Sequence, residues 1–142
     1  MNPLQREKYW PYAATAVVAL AWHYCLYSRF PEEPNDLMLA TGTASAVLIG
    51  FLATAKAIIL GLTGTPVFKA LKDSGYHTIL FRYLFEATAT GLLLLVLSVV
   101  GFFFPKDKMP LWFDHLWVIA AASALFTFMR VVGKLFRLIE KA

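Results

Sequence analysis

Charged residues stand inside or at the edge of long apolar runs, where an ionised side chain is costly. They are Lys56, Arg82, Glu86 and Arg130. A charge at the centre of a bilayer costs at least about 2.5–3.5 kcal/mol on insertion scales, and less near the headgroups. Lysine has a long stem that reaches the headgroups, whereas the shorter glutamate needs a partner or a proton. Arg82 precedes Glu86 by four residues, so both side chains share one helix face.

This intramembrane charge cluster is open to three interpretations. An ion pair that orients neighbouring helices is the simplest one. A group that handles protons or ions is the second, and a latch that releases in one state of a gate is the third. Spacing in the sequence does not choose among them.

Other chemistry is harder to find in the chain. One group of polar residues could cluster on the outer side of a membrane: His23, Cys25, Glu32, Glu33, Asp114 and His115. No HxxxH or CxxC spacing organises them as metal ligands. The single cysteine excludes an intramolecular disulfide. We find no nucleophile elbow, phosphate-binding loop or H-E-x-x-H motif. The sequence therefore predicts no metal site, no cofactor, no enzymatic activity and no binding of nucleic acid.

The elements that position these residues follow from composition. The chain has 142 residues, of which 59% are hydrophobic and 15% charged, whereas a soluble domain is usually about a quarter charged. Apolar runs lie at about 9–28, 37–62, 79–104 and 111–132. A helix needs roughly 20 such residues to cross a bilayer, and only a helix pairs its own backbone groups there. We expect an all-α integral membrane four-helix bundle, one transmembrane domain over residues 1–142.

Two further helical segments are predicted outside the spans. "TGTPVFKALKDSGYH" joins the second and third spans, with Thr65 as N-cap, Pro66 in the first turn and Gly75 as a stop. Its apolar side chains share one face, which is typical of a short helix lying in the membrane interface. The last span continues as a basic helical extension over residues 133–142.

The lysines and arginines predict the orientation. If both termini are cytoplasmic, most basic residues lie on or near the inner side: Arg6, Lys8, Lys56, Lys69, Lys72, Arg82, Arg130, Lys134, Arg137 and Lys141. Only Arg29, Lys106 and Lys108 then lie outside. This bias over short loops follows the positive-inside rule. The predicted location is the bacterial inner (plasma) membrane, as a multi-pass protein with both termini in the cytoplasm.

Small residues recur at helical spacing on the second and third spans. They are Gly42, Ala46, Gly50, Thr54, Ala87 and Gly91. Such a stripe lets another helix approach closely, so that van der Waals packing stabilises the contact in lipid. The stripe serves either packing within one chain or contact with a neighbouring subunit, and self-association is the expectation.

A set of basic residues borders the cytoplasmic side of the predicted spans. They are Lys69, Lys72, Lys134, Arg137 and Lys141. Basic residues next to a membrane attract anionic lipid headgroups, at about 1 kcal/mol each. Docking of a cytoplasmic protein partner is the alternative use of the same surface.

The segments "SAVLIGFLATAKAIILGL", "FKALKDSGYHTILFRYLFEA" and "FMRVVGKLFRLIEK" resemble those of small four-span bacterial inner-membrane proteins, such as the membrane component of the Kiwa antiphage defence system. The resemblance implies a homo-oligomeric scaffold, sensor or pore that engages a cytoplasmic partner in antiphage defence. Two alternatives stay open. One is a small transporter or ion or proton channel that uses Glu86 and Lys56, and the other is an integral-membrane enzyme acting on a lipid-like substrate.

Overall fold

The computed structural model describes residues 3–25, 34–73, 75–105 and 109–140. Its helices in chain order are α1 (Pro3–Cys25), α2 (Pro34–Gly61), α3 (Pro66–Asp73), α4 (Tyr76–Gly101) and α5 (Leu111–Glu140). The all-α prediction is confirmed. α5 runs without a break from the predicted last span into the basic extension. Positions 26–28 of the predicted first span and Lys141 of the basic set lie outside the described residues.

Three helices, α2, α4 and α5, are long and apolar enough to cross a membrane. α1 has 23 residues but carries Pro11, Trp22, His23 and Tyr24 among its apolar side chains, and it is not one of the three. Length and composition thus support a membrane protein, and the fourth span stays a prediction.

The short helix α3 has the predicted signals at its ends. The Thr65 hydroxyl accepts the backbone N–H of Phe68 at 3.3 Å, which caps the first turn. Gly75 follows α3 with a φ of 70°, a left-handed conformation that glycine adopts without a Cβ clash. Phe68 and Leu71 pack against the core, while Lys69 and Lys72 are exposed.

α2 and α4 pack antiparallel, and polar side chains fix their register. The Ser45 hydroxyl donates to the Gly91 carbonyl oxygen at 2.6 Å. Towards one end of the same interface, the hydroxyl oxygens of Thr41 and Ser98 lie 3.2 Å apart. Interhelical hydrogen bonds and close backbone approach stabilise helix pairs in lipid, where apolar contact alone gives little preference.

α5 packs antiparallel to both α4 and α1. The Thr90 and Thr127 hydroxyls lie 2.9 Å apart between α4 and α5. The ring of Trp10 meets that of Phe126 edge to face at 5.9 Å between α1 and α5. α1 and α4 begin, and α2 and α5 end, on the same side of the molecule, which we call the basic end. The opposite side is the far end.

The helices therefore follow one another in space in the order α2, α4, α5, α1, which forms an open row. α2 packs extensively on α4 and touches α5 only marginally, where Phe51 meets Phe128 edge to face at 5.7 Å. α1 packs extensively on α5 alone. Among the described residues, each helix at the end of the row has a single extensive neighbour and leaves much of its surface uncovered. The four-span bundle therefore stays a prediction.

Gly91→Ala is expected to destabilise the α2–α4 interface. A Cβ at Gly91 would lie 3.2 Å from Ile49 Cγ1, and isoleucine is β-branched and stiff at that atom. We expect a loss of about 1–3 kcal/mol, measured by thermal unfolding in detergent micelles. Gly133→Ala on α5 is the control, since its Cβ would meet no atom within 4 Å and it should stabilise by up to about 1 kcal/mol. Equal effects of the two substitutions would contradict this packing.

Candidate functional site

Glu86 on α4 lies at the centre of a charged cluster near the basic end. Its Oε1 accepts the Nε–H of Arg82, one turn earlier on α4, at 3.1 Å. Its Oε2 accepts from Nη2 of Arg130 on α5 at 2.6 Å, and from the hydroxyl of Tyr12 on α1 at 3.2 Å. The structure thus brings together three of the four residues that the sequence assigns to the cluster, and it adds a tyrosine from a third helix.

Arg130 is the buried member of this cluster, with 1% of its side chain exposed. Its Nη1 donates to the Lys8 backbone carbonyl at 3.3 Å, and its guanidinium carbon lies 3.9 Å from the centroid of the Tyr83 ring. A buried charge is tolerated when it is paired and hydrogen-bonded, and a ring face adds cation–π attraction. Arg130 therefore joins α5 to α1 and to α4 through one side chain.

A second ion pair lies beside this cluster, between α1 and α5. Lys134 Nζ lies 2.5 Å from Glu7 Oε2, and the two side chains are 15% and 19% exposed. This contact alters one sequence assignment, because the Lys134 ammonium pairs with Glu7 within the chain. Lys69, Lys72 and Arg137 of the basic set are exposed at the basic end and keep the predicted accessibility.

The structure does not place Lys56 in the charge cluster. Lys56 is exposed on α2, whereas Ala55 beside it and Ile59 one turn later are buried in the core. Successive helical residues are about 100° apart, so the face with Lys56 turns away from α4. Its long stem lets the ammonium reach the headgroup region from there. Within the ranges described, no ion pair or hydrogen bond includes Lys56.

The small residues separate into two groups. Ala87 and Gly91 are buried, and a Cβ at Gly42 would lie 3.5 Å from Ser98 Cβ, so these three serve packing within the chain. Ala46, Gly50 and Thr54 of α2 are exposed instead. A Cβ at Gly50 would meet no atom within 4 Å. Internal packing therefore accounts for Gly42, Ala87 and Gly91, whereas contact with a neighbouring subunit stays a prediction for the three exposed residues.

Polar contacts also join α1 to α5 at the far end. Trp22 Nε1 donates to Asp114 Oδ2 at 3.2 Å, and the Asp114 residue is 2% exposed. His23 Nδ1 lies 3.1 Å from His115 Nε2. The sequence places His23, Asp114 and His115 on one side of the membrane, but it does not pair them, since the partners are 92 residues apart. The sequence carries one signal for these contacts. Two adjacent residues with polar groups, Trp22 and His23, stand at the end of α1, and Asp114 and His115 stand at the start of α5, so an antiparallel arrangement of α1 and α5 brings the pairs together.

The geometry at the basic end favours a structural junction. The two Glu86 oxygens accept three hydrogen bonds, and two of them come from arginines. Hydrogen bonds to ionised groups are stronger than neutral ones. Glu86 is therefore engaged by groups from three helices. In the described part of the chain, no set of three His, Cys, Asp or Glu residues converges on a point that would hold a metal ion.

Comparison of the chain with protein-family models, with curated proteins and with solved structures finds no match. The resemblance to the Kiwa membrane component therefore stays a prediction at the level of topology.

Glu86→Gln is expected to destabilise the protein far more than Arg82→Gln does. The first substitution leaves the buried Arg130 without its charge partner, at a cost of about 3–5 kcal/mol. The second removes an arginine whose side chain is 62% exposed, a loss of about 0.5 kcal/mol. Thermal unfolding of the two variants in the same detergent compares them. A cost for Arg82→Gln that equals or exceeds the cost for Glu86→Gln would contradict the central role of Arg130.

Proposed function

We propose that the chain is a four-span membrane scaffold that self-associates in the bilayer through the exposed face of α2. Both termini lie in the cytoplasm in this proposal. The basic end then engages anionic lipid headgroups and a cytoplasmic protein partner. The observation that carries the proposal is the large uncovered apolar surface of α2.

α1 is proposed as the fourth span because it lies along the whole of α5. The α1–α5 contacts run from Glu7 and Lys134 at the basic end to His23 and His115 at the far end. A helix packed along a membrane-crossing helix occupies the same depth in the bilayer. The polar and aromatic side chains of α1 lower its hydropathy, and part of this polar surface contacts α5 and α4.

α2 is the apolar helix that the rest of the chain covers least. In the most apolar 18-residue stretch of each helix, 11% of α2 is buried, compared with 39% of α4 and 44% of α5. Small residues follow one another along its exposed surface: Ala46, Gly50, Ala53, Ala57 and Gly61. Small side chains allow a second helix to approach closely, which a surface that faces only lipid does not require. A second copy of α2 is therefore the proposed occupant.

The basic end supports the second part of the proposal. Lys69, Lys72, Arg82 and Arg137 are exposed there, so their charges are accessible to headgroups or to another protein. Such residues near an anionic membrane surface contribute about 1 kcal/mol each. The same basic residues, counted over short loops, favour the cytoplasmic side for this end.

The alternative of a transporter or ion channel that uses Glu86 and Lys56 has less support. Lys56 is exposed on α2 and does not approach the cluster, and Glu86 is engaged by Arg82 and Arg130. An enzyme acting on a lipid-like substrate needs Glu86, Arg82 and Lys56 to line one pocket, and Lys56 lies apart from the other two.

Bulky substitutions on the exposed face of α2 are expected to abolish self-association. Ala46→Leu and Gly50→Leu fill the surface that the second copy would contact. Ala89→Leu on α4 is a matched control, because Ala89 is also exposed. It lies at a depth similar to that of Ala46 and Gly50, since Gly91, two residues later, packs against Ile49 of α2. The measurement is energy transfer between labelled chains in liposomes, as a function of the ratio of protein to lipid.

We expect transfer for the wild type and for Ala89→Leu, and loss of transfer for both α2 variants. A wild-type protein that stays monomeric at every ratio would contradict the proposal. Association of Gly50→Leu at the wild-type level would place the contact on another surface.

A further inference from the structure

We propose that His23 and His115 form a two-nitrogen site for a divalent transition metal ion such as Zn²⁺, at the far end of the α1–α5 interface. His23 lies near the end of α1 and His115 in the second turn of α5, so the site would join two helices. His23 is exposed and His115 is half-buried, which leaves the pair accessible from that end.

The distance between the two imidazoles suits a shared metal ion. His23 Nδ1 and His115 Nε2 are 3.1 Å apart. Two zinc–nitrogen bonds of about 2.0–2.1 Å, meeting at about 90–109°, place their nitrogens about 2.9–3.4 Å apart. The two nitrogens are therefore already at a suitable separation, and each lone pair must point about 40° away from the line between them to reach a shared ion. Without metal, the same separation is that of a hydrogen bond between the two rings.

The orientation of the His115 ring is set by its own helix. Its Nδ1 lies 2.7 Å from the Leu111 carbonyl oxygen, so this nitrogen carries the proton and donates it. The lone pair of Nε2 then faces His23. A histidine that binds a metal usually donates its other N–H to a carbonyl or carboxylate in this way, which orients the ring. For His23, a shift of the ring proton from Nδ1 to Nε2 frees the second lone pair while the imidazole stays neutral.

The surroundings define the kind of site. Trp22 donates to the Asp114 carboxylate on the same interface, and the ring of Tyr24 packs edge to face on that of His23 at 5.0 Å. Among the described side chains, no third His, Cys, Asp or Glu joins the two histidines. With two protein nitrogens as its ligands, the site binds an ion reversibly and more weakly than a structural zinc site with four protein ligands does. Imidazole ligands select zinc, copper and nickel over magnesium and calcium.

The test is a titration of the full-length protein in detergent with Zn²⁺, followed by competition with a chromophoric chelator. The informative variants are His23→Ala and His115→Ala. His77→Ala is the matched control, because His77 begins α4 at the basic end, and Cys25→Ser tests the single thiol near the site. Where an alanine variant does not fold, as judged by its helical circular dichroism, the glutamine variant at that position replaces it.

We expect the wild type to bind one zinc ion per chain. His23→Ala and His115→Ala should each weaken binding by about tenfold or more, whereas His77→Ala and Cys25→Ser should match the wild type. Absence of binding in excess zinc, or equal affinity in the variants of His23 and His115, would overturn the proposal. A loss in Cys25→Ser would place the ion on a different ligand set and overturn it as well.

Discussion

The guanidinium of Arg130 is a charge held out of solvent, and it takes its partners from other helices. Glu86 on α4 supplies a carboxylate oxygen at 2.6 Å, Lys8 on α1 supplies a backbone carbonyl, and Tyr83 on α4 supplies a ring face. Removing one partner of such a charge costs about 3–5 kcal/mol, because the remaining charge stays buried. The position of α1 and α4 on α5 at the basic end is therefore constrained by one residue.

The rest of the row depends on smaller contacts that agree with this constraint. Ser45 bonds to the Gly91 carbonyl between α2 and α4, and Trp22 bonds to Asp114 between α1 and α5. In lipid, close packing and hydrogen bonds distinguish one helix arrangement from another. α2 lies at the end of the row, away from Arg130, and packs extensively on α4 alone. This position leaves its face of small residues uncovered, which is the basis of the proposed self-association.

Sequence reasoning succeeded where the relevant information is local. Arg82 and Glu86 are one helical turn apart, so their contact follows from spacing, and Thr65 and Gly75 mark the ends of α3 by their residue types. It failed for Lys56, because the expectation rested on the depth of Lys56 in the membrane and not on the direction in which the side chain leaves the α2 axis. A difference of one residue turns a side chain by about 100°, enough to separate Lys56 from the buried Ala55.

The individual contacts of α1 were out of reach for a different reason, although His23, Asp114 and His115 were expected on one side of the membrane. Tyr12 meets Glu86 across 74 residues, and His23 meets His115 across 92. Finding them requires the spatial order of the helices, and α1 lies beside the last helix of the chain. Apolar periodicity does not specify that order, since a stripe of small residues fits several neighbours equally well.

The claim that the ion pair between Glu86 and the buried Arg130 holds the basic end together is tested most directly by a double-mutant cycle. Glu86→Gln, Arg130→Met and the double variant would be unfolded thermally in one detergent. The account predicts that each single substitution is strongly destabilising and that the double variant is more stable than the sum of the two losses implies, with a coupling energy of about 1–3 kcal/mol. Additive losses would contradict it, because they would show that Glu86 and Arg130 stabilise the protein independently.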